Sequence, residues 1–120
     1  MTKILAVDDS ASMRQMITFT LKSAGFDVVE ACDGVEGVNQ ARQHKCDLVL
    51  SDVNMPNMDG IAMTKELRTL PDYKYTPILM LTTESGLDKK TEGKNAGATG
   101  WIVKPFKPDQ LLNTIKKVLG

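Results

Sequence analysis

Short apolar runs alternate with helical patterns five times along this chain. Runs such as Ile4-Leu5-Ala6-Val7 and Leu48-Val49-Leu50-Ser51 are continuously apolar rather than alternating. That is the pattern of strands covered on both faces. Strands are expected near 3–7, 27–31, 47–51, 77–81 and 99–103. Between them the period changes. Met13, Met16, Ile17, Leu21 and Ala24 share one face of a first helix, which Ser10 can cap. Asp33 followed by Glu36 has the capping-box spacing and opens a second helix. A third follows Asp59-Gly60. The fifth starts at Pro108, a favoured first helical position, and is expected to bury Leu111, Leu112, Ile115, Val118 and Leu119. The fourth, from Gly86 to Ala96, is weak. It has few apolar residues and an interior glycine, Gly93, which costs roughly 1 kcal/mol against alanine. A marginal helix of this kind is a candidate moving part.

Five strand–helix units predict an α/β fold: a flavodoxin-like, doubly wound, five-stranded parallel sheet of order 2-1-3-4-5 with five helices and right-handed crossovers. A length of 120 residues fits one domain, residues 1–120, and 42% apolar residues suffice for its core. The 15 basic and 15 acidic residues cancel, so nothing global points to nucleic acid or membrane. No run reaches transmembrane length, and the short apolar run ahead of Asp8 excludes a signal peptide. A cytoplasmic protein is expected. Cys32 and Cys46 lack a CxxC spacing and read as reduced thiols. Met13, Met16, Met63 and Met80 read as core fill, Met55 and Met58 as packing for a turn, and His44 as a plain surface residue. The charge is uneven: acids exceed bases by four in residues 1–85, and bases exceed acids by four in residues 86–120. The basic excess reads either as a solvated face or as a docking face for an acidic partner.

The chemistry lies at the strand ends. Asp8 and Asp9 follow the first apolar run and Asp52 follows the third. In the 2-1-3-4-5 order strands 1 and 3 are neighbours, so the three aspartates converge at the switch point where open α/β sheets bind ligands. Three carboxylates there repel one another and need either protons or a cation. Hard oxygen donors favour Mg²⁺, which keeps several waters and often meets phosphate. Two further strand ends reach the same rim. Thr82 offers a hydroxyl donor, and Lys104, fixed ahead of Pro105, offers a compact cation for phosphate.

Val7-Asp8-Asp9-Ser10, then Asp52-Val53-Asn54-Met55-Pro56-Asn57-Met58-Asp59-Gly60, then Thr82, then Lys104-Pro105-Phe106 run in order along the whole chain. In this the chain resembles the receiver domains of bacterial two-component systems, and among them the single-domain chemotaxis response regulators of the CheY type. The resemblance implies a phosphorylation-activated signalling switch rather than a metabolic enzyme. Asp52 would accept a phosphoryl group from a phosphohistidine on a histidine kinase. Asp9, Asp52 and the backbone carbonyl of Asn54 would hold Mg²⁺, with Asp8 helping through water. Lys104 would pair with the phosphate oxygens and Thr82 would hydrogen-bond them. Trp101 takes the switch-aromatic position, commonly Tyr in the CheY type, and the Lys104–Pro105 bond would be cis. Asn54 and Glu84, two residues past Asp52 and Thr82, would tune the lifetime of the phosphate.

The output implied is surface contact through helix 4, strand 5 and helix 5, where Lys89, Lys90, Lys94, Trp101 and Lys107 form the expected partner face. The partner would be a flagellar motor switch protein or another effector, from a monomer; a phosphate sink is the alternative. Two other classes fit less well. Aspartyl-nucleophile phosphohydrolases that resemble haloacid dehalogenases carry Asp-x-Asp after the first strand and a cap insertion. An FMN carrier needs a hydroxyl- and glycine-rich loop where this chain places two acids, which would repel the phosphate.

Overall fold

The computed structural model describes residues 2–82 and 87–120, apart from the side chains of 87–89. The strands are β1 (Lys3–Val7), β2 (Asp27–Ala31), β3 (Leu48–Asp52), β4 (Ile78–Thr82) and β5 (Gly100–Val103). The helices are α1 (Ala11–Ser23), α2 (Gly34–Gln43), α3 (Gly60–Arg68), α4 (Leu87–Ala96) and α5 (Pro108–Leu119), with a 3-10 turn at Pro71–Tyr73. All strands pair in parallel, in the order β2-β1-β3-β4-β5.

The inner strands β1, β3 and β4 are buried on both faces, and the period of two splits their residues between two cores, while the edge strands β2 and β5 keep exposed positions. Leu5, Val7, Val49, Ile78 and Met80 pack with Val38, Met63 and Leu67 beneath α2, α3 and α4. Ile4, Ala6, Leu48, Leu50, Leu79 and Leu81 pack with Ile17, Leu21, Leu111 and Ile115 beneath α1 and α5. This is why the inner strands read as unbroken apolar runs. Parallel pairing brings every strand's carboxyl end to one rim, where the chemistry-bearing residues gather.

Several boundary residues depart from the sequence expectation. Met16 is 37% exposed and Leu119 is 36% exposed, and Ala24 is also exposed. All three follow the helical period of the core yet meet solvent, Ala24 as the C-cap of α1. In α5 only Leu111 and Ile115 are buried, with Leu112 and Val118 partly covered. The Asp33 carboxylate caps α2 by accepting from Glu36 N–H, at 2.8 Å. The reciprocal arm of that capping box goes elsewhere: Glu36 accepts from the backbone N–H and the thiol of Cys32. His44 is half-buried as the C-cap of α2, and its carbonyl accepts from the Tyr73 hydroxyl at 2.6 Å.

Arg68 ties the connections on the α3–α4 side together. Its guanidinium donates to the carbonyls of Tyr73 and Thr76, each at 2.7 Å, and to that of Gly97 just past α4. Burial lowers its pKa. The carboxyl end of α4 is thereby pinned to α3, and it is capped by Gly97 N–H and Ala98 N–H donating to the Lys94 and Gly93 carbonyls.

Candidate functional site

Asp8 is the first residue beyond β1, and α1 starts three residues later. A turn this short leaves its carboxylate almost fully buried at the rim. Ser10 N–H donates to Asp8 Oδ1 at 2.9 Å, and Ser10 Oγ in turn caps α1 by accepting from Met13 N–H. Arg14, one turn into α1, donates to the Asp8 carbonyl at 2.7 Å and pairs with Glu30 at 3.2 Å. The loop that carries Asp8 and Asp9 is thus held from both sides. Asp9 is exposed.

Asp52 is the last residue of β3, beside Leu81 of β4. Its Oδ1 accepts from Val53 N–H at 2.8 Å. Its Oδ2 faces Lys104 Nζ at 3.4 Å, and Asp8 Oδ2 lies 3.4 Å from the same ammonium. The Lys104 side chain is only 13% exposed. A hydrogen bond from Lys104 N–H to the Thr82 carbonyl, at 2.7 Å, extends the β4–β5 ladder to the rim, and the Lys104–Pro105 bond is cis. One carboxylate oxygen from each of Asp8, Asp9 and Asp52 lies within 4.8 Å of the others.

Burial pushes the Asp52 pKa up; Lys104 opposes this and the Asp8 charge adds to it. A single lysine shared by two carboxylates therefore leaves Asp52 under-compensated. The donors are hard oxygens at one rim, with Asp9 open to solvent, and this suits a small divalent cation that keeps part of its water. The residues present fit Mg²⁺. Asn54 is exposed in the loop after β3. Thr82 ends β4 and is buried, opposite Val103 in the ladder.

Trp101 stands opposite Met80 on β5 and points to the α4 side, where it is partly buried against the core. With Lys90, Lys94, Ala98, Thr99 and Gly100 it lines a depression of about 250 Å³. Lys94 and Lys107 are exposed and Lys90 is half-exposed. Glu84 and the side chain of Lys89 lie outside the described residues.

Four residues have roles that the sequence does not show: Arg14, Asp33, Asn57, which stands in the quoted motif without a role, and Gly93. Asp33 registers in the sequence only as a cap, yet its Oδ2 also accepts from the Asn57 side-chain amide at 2.7 Å. Gly93 registers as a helix weakener, yet a Cβ there would collide with the Trp101 indole. Both are long-range complementarities that no local pattern encodes. Cys32 is exposed and Cys46 buried, both as free thiols. The hydrogen bond to Glu36 raises the Cys32 pKa and burial raises that of Cys46, which suits inert thiols.

The response regulator receiver domain family matches residues 4–116. The chain is 41% identical over 120 residues to chemotaxis protein CheY1 of Helicobacter pylori, covering 98% of this chain and 97% of that one. It is 39% identical to a probable transcriptional regulator, ycf27, of Porphyridium aerugineum, covering 98% of this chain but 48% of that longer protein. The structure of chemotaxis protein CheY4 of Vibrio cholerae superposes with a TM-score of 0.96 at 53% identity, over 98% of each chain. The receiver domain of the sensor histidine kinase PA1611 of Pseudomonas aeruginosa superposes with a TM-score of 0.92 at 28% identity, over 99% of this chain and 98% of that one. That structure holds a magnesium ion coordinated in its active site cleft.

Proposed function

This chain belongs to the response regulator receiver domain family, and on that footing we propose that it is a chemotaxis-type phosphorylation switch whose phosphoacceptor is Asp52. Receiver domains take phosphate from histidine kinases and signal to effectors; they are signalling domains rather than metabolic enzymes. The observation that carries the assignment is Lys104 Nζ standing 3.4 Å from both Asp8 and Asp52, at the one rim where three carboxylates meet.

Asp52 is the nucleophile. Its carboxylate oxygen forms the bond to phosphorus while the phosphorus–nitrogen bond to the kinase histidine breaks; the departing ring takes one proton from solvent, leaving an acyl phosphate and a neutral imidazole. Mg²⁺, held by Asp9, Asp52 and the Asn54 carbonyl with Asp8 acting through water, would supply positive charge against the phosphoryl oxygens. Lys104 is already fixed beside Asp52 and stabilises the same oxygens as their charge develops. Thr82, at the end of the adjacent strand, donates to them once the phosphate is present. Water then attacks phosphorus, releases inorganic phosphate and restores the carboxylate. Asn54 borders that approach and tunes its rate.

The message leaves by the surface of α4, β5 and α5. Movement of Thr82 toward the phosphate changes the packing of Trp101, and the surrounding Lys90, Lys94 and Lys107 present a basic rim to an acidic partner. The CheY-named relatives favour chemotaxis as the setting, and the partner is a flagellar motor switch protein or another effector. No described helix is long and apolar enough to cross a membrane.

The test is transfer of ³²P from a phosphorylated histidine kinase. Wild type should take up one label, acid-stable and base-labile, and Asp52→Asn none. Stoichiometric label on Asp52→Asn would falsify the assignment.

A further inference from the structure

The loop from Val53 to Asp59 carries Asn54, whose carbonyl the reading above gives to the metal. That loop contains the one described non-glycine residue with positive φ, Asn57, at 67°. Met58 N–H donates to the Pro56 carbonyl across it at 2.7 Å. An i to i+2 bond around a residue with positive φ is a rare and strained γ-turn. Such conformations persist only where the surroundings over-determine them.

Here the surroundings come from a different loop. Asp33, at the start of α2, uses one carboxylate oxygen to cap the helix and the other for Asn57. Oδ1 accepts from Glu36 N–H at 2.8 Å and Oδ2 accepts from Asn57 Nδ2 at 2.7 Å. The next residue adds a second tie, from Gly34 N–H to the Met58 carbonyl at 3.0 Å. A Cβ at Gly34 would collide with that carbonyl and with the Met58 side chain, so the two loops approach as closely as glycine allows. At the far end Gly60 N–H donates to the Val53 carbonyl at 2.8 Å. The loop bearing Asn54 is therefore fixed at both ends and clamped in its middle by α2.

We propose that Asp33 and Asn57 are a positioning pair for the metal, which sets Mg²⁺ affinity by holding the loop that presents the Asn54 carbonyl. Neither residue touches the ion. Groups bonded to a metal's own ligands typically change its affinity about 10- to 100-fold when altered, and this pair, which holds the ligand's loop, is expected at the low end of that range. The inference rests on the metal reading of Asp8, Asp9 and Asp52, and its test separates the two.

Asp33→Ser keeps a good N-cap for α2 but is too short to reach Asn57. Asn57→Gly keeps the turn, since glycine takes positive φ freely, but removes the amide. Mg²⁺ dissociation constants from calorimetric titration, with melting temperatures in EDTA alongside, are measured for both, for the double variant, for Asp33→Asn and for Asp9→Ala. Each single variant should bind about 10-fold more weakly. The double variant should be no weaker than the singles, because both remove one bond. Asp33→Asn should stay within about 3-fold of wild type, since it caps equally well and Asn57 can turn its amide to accept instead. Asn57→Gly should melt no lower than wild type in EDTA, which separates positioning of the metal from loss of fold. Wild-type Mg²⁺ affinity in either single variant, or losses that add in the double, overturns the clamp. Absence of Mg²⁺ binding by wild type overturns the metal reading itself.

Discussion

The indole of Trp101 lies over Gly93 so closely that a Cβ on the glycine would strike its Cζ2 atom. The glycine that weakens α4 as an isolated helix is what admits the largest side chain in the protein to the α4–β5 interface. Gly93→Ala should therefore act against its own propensity. Alanine gains about 1 kcal/mol of helix preference, but overpacking costs about 1–3 kcal/mol. The expected net effect is a lower melting temperature and an indole pushed toward solvent, read as red-shifted emission and stronger acrylamide quenching. Trp101→Tyr in the Gly93→Ala background should recover part of the stability. A blue-shifted, better-protected indole in Gly93→Ala would contradict this packing.

Metal removal should be visible as stability. A ligand that binds only the folded state at 100 times its dissociation constant stabilises by about 2.7 kcal/mol. Wild type should melt several degrees higher in saturating Mg²⁺ than in EDTA. Asp9→Ala should lose most of that increment and should label slowly with acetyl phosphate. Equal Mg²⁺ increments in the two proteins would remove Asp9 from the ligand set.

Burial raises the Asp52 pKa, with Lys104 opposing and Asp8 adding, and this fixes a sign for metal-free stability. A raised folded-state pKa favours the fold fully below the unfolded value and loses that contribution as pH rises through the folded value. At neutral pH ionised Asp52 therefore costs the metal-free protein stability. Asp52→Asn should melt higher than wild type in EDTA at pH 7, by a few degrees, and the gap should close as pH falls toward 4. A lower melting temperature for Asp52→Asn at pH 7 would show that the Lys104 pair outweighs burial.

Lys104 should matter more for relay than for acceptance. It directly follows β5, the strand that carries Trp101, and its N–H is bonded to the Thr82 carbonyl at the end of β4, so it joins the two strands at the rim. Lys104→Ala should still take label from the kinase, at a reduced rate, but beryllofluoride with Mg²⁺ should no longer alter its Trp101 emission. Thr82→Ala should blunt the same response. A wild-type emission change in both variants would leave the relay without its parts.

Tyr73 gives a test away from the site. Its buried hydroxyl donates toward the carbonyls of Ala41 and His44 and accepts from Cys46 N–H at 3.0 Å. Burial first of all lifts its pKa to about 12. The folded value lies above the unfolded one near 10, so its contribution is full below pH 10 and is lost as pH rises toward 12. Tyr73→Phe should be less stable by about 1–3 kcal/mol at pH 8, and its melting temperature should converge with that of wild type above pH 11. A constant gap from pH 8 to 11.5 would mean that the hydroxyl does not titrate with unfolding.

The strands, their parallel order and the meeting of Asp8, Asp9, Asp52, Thr82 and Lys104 at one rim were legible in the sequence for a local reason. Short continuous apolar runs between helical patterns read as strands buried on both faces, as β1, β3 and β4 are, and the residue that ends such a strand stands at the rim of the sheet. Helix starts were equally local, because Ser10, Asp33 and Asp59 cap through bonds to residues three positions on. What the chain alone left open depends on distances across the fold. Met16 and Leu119 share the helical period of the core yet meet solvent, since the period does not say how far around a helix the neighbouring layers reach. Gly93 reads as a defect until the indole eight residues later is seen against it. Asp33 reads as a cap until its second oxygen is found on Asn57, 24 residues away. Sequence period fixes which face a residue takes, whereas contact between faces is set only when the layers close on one another.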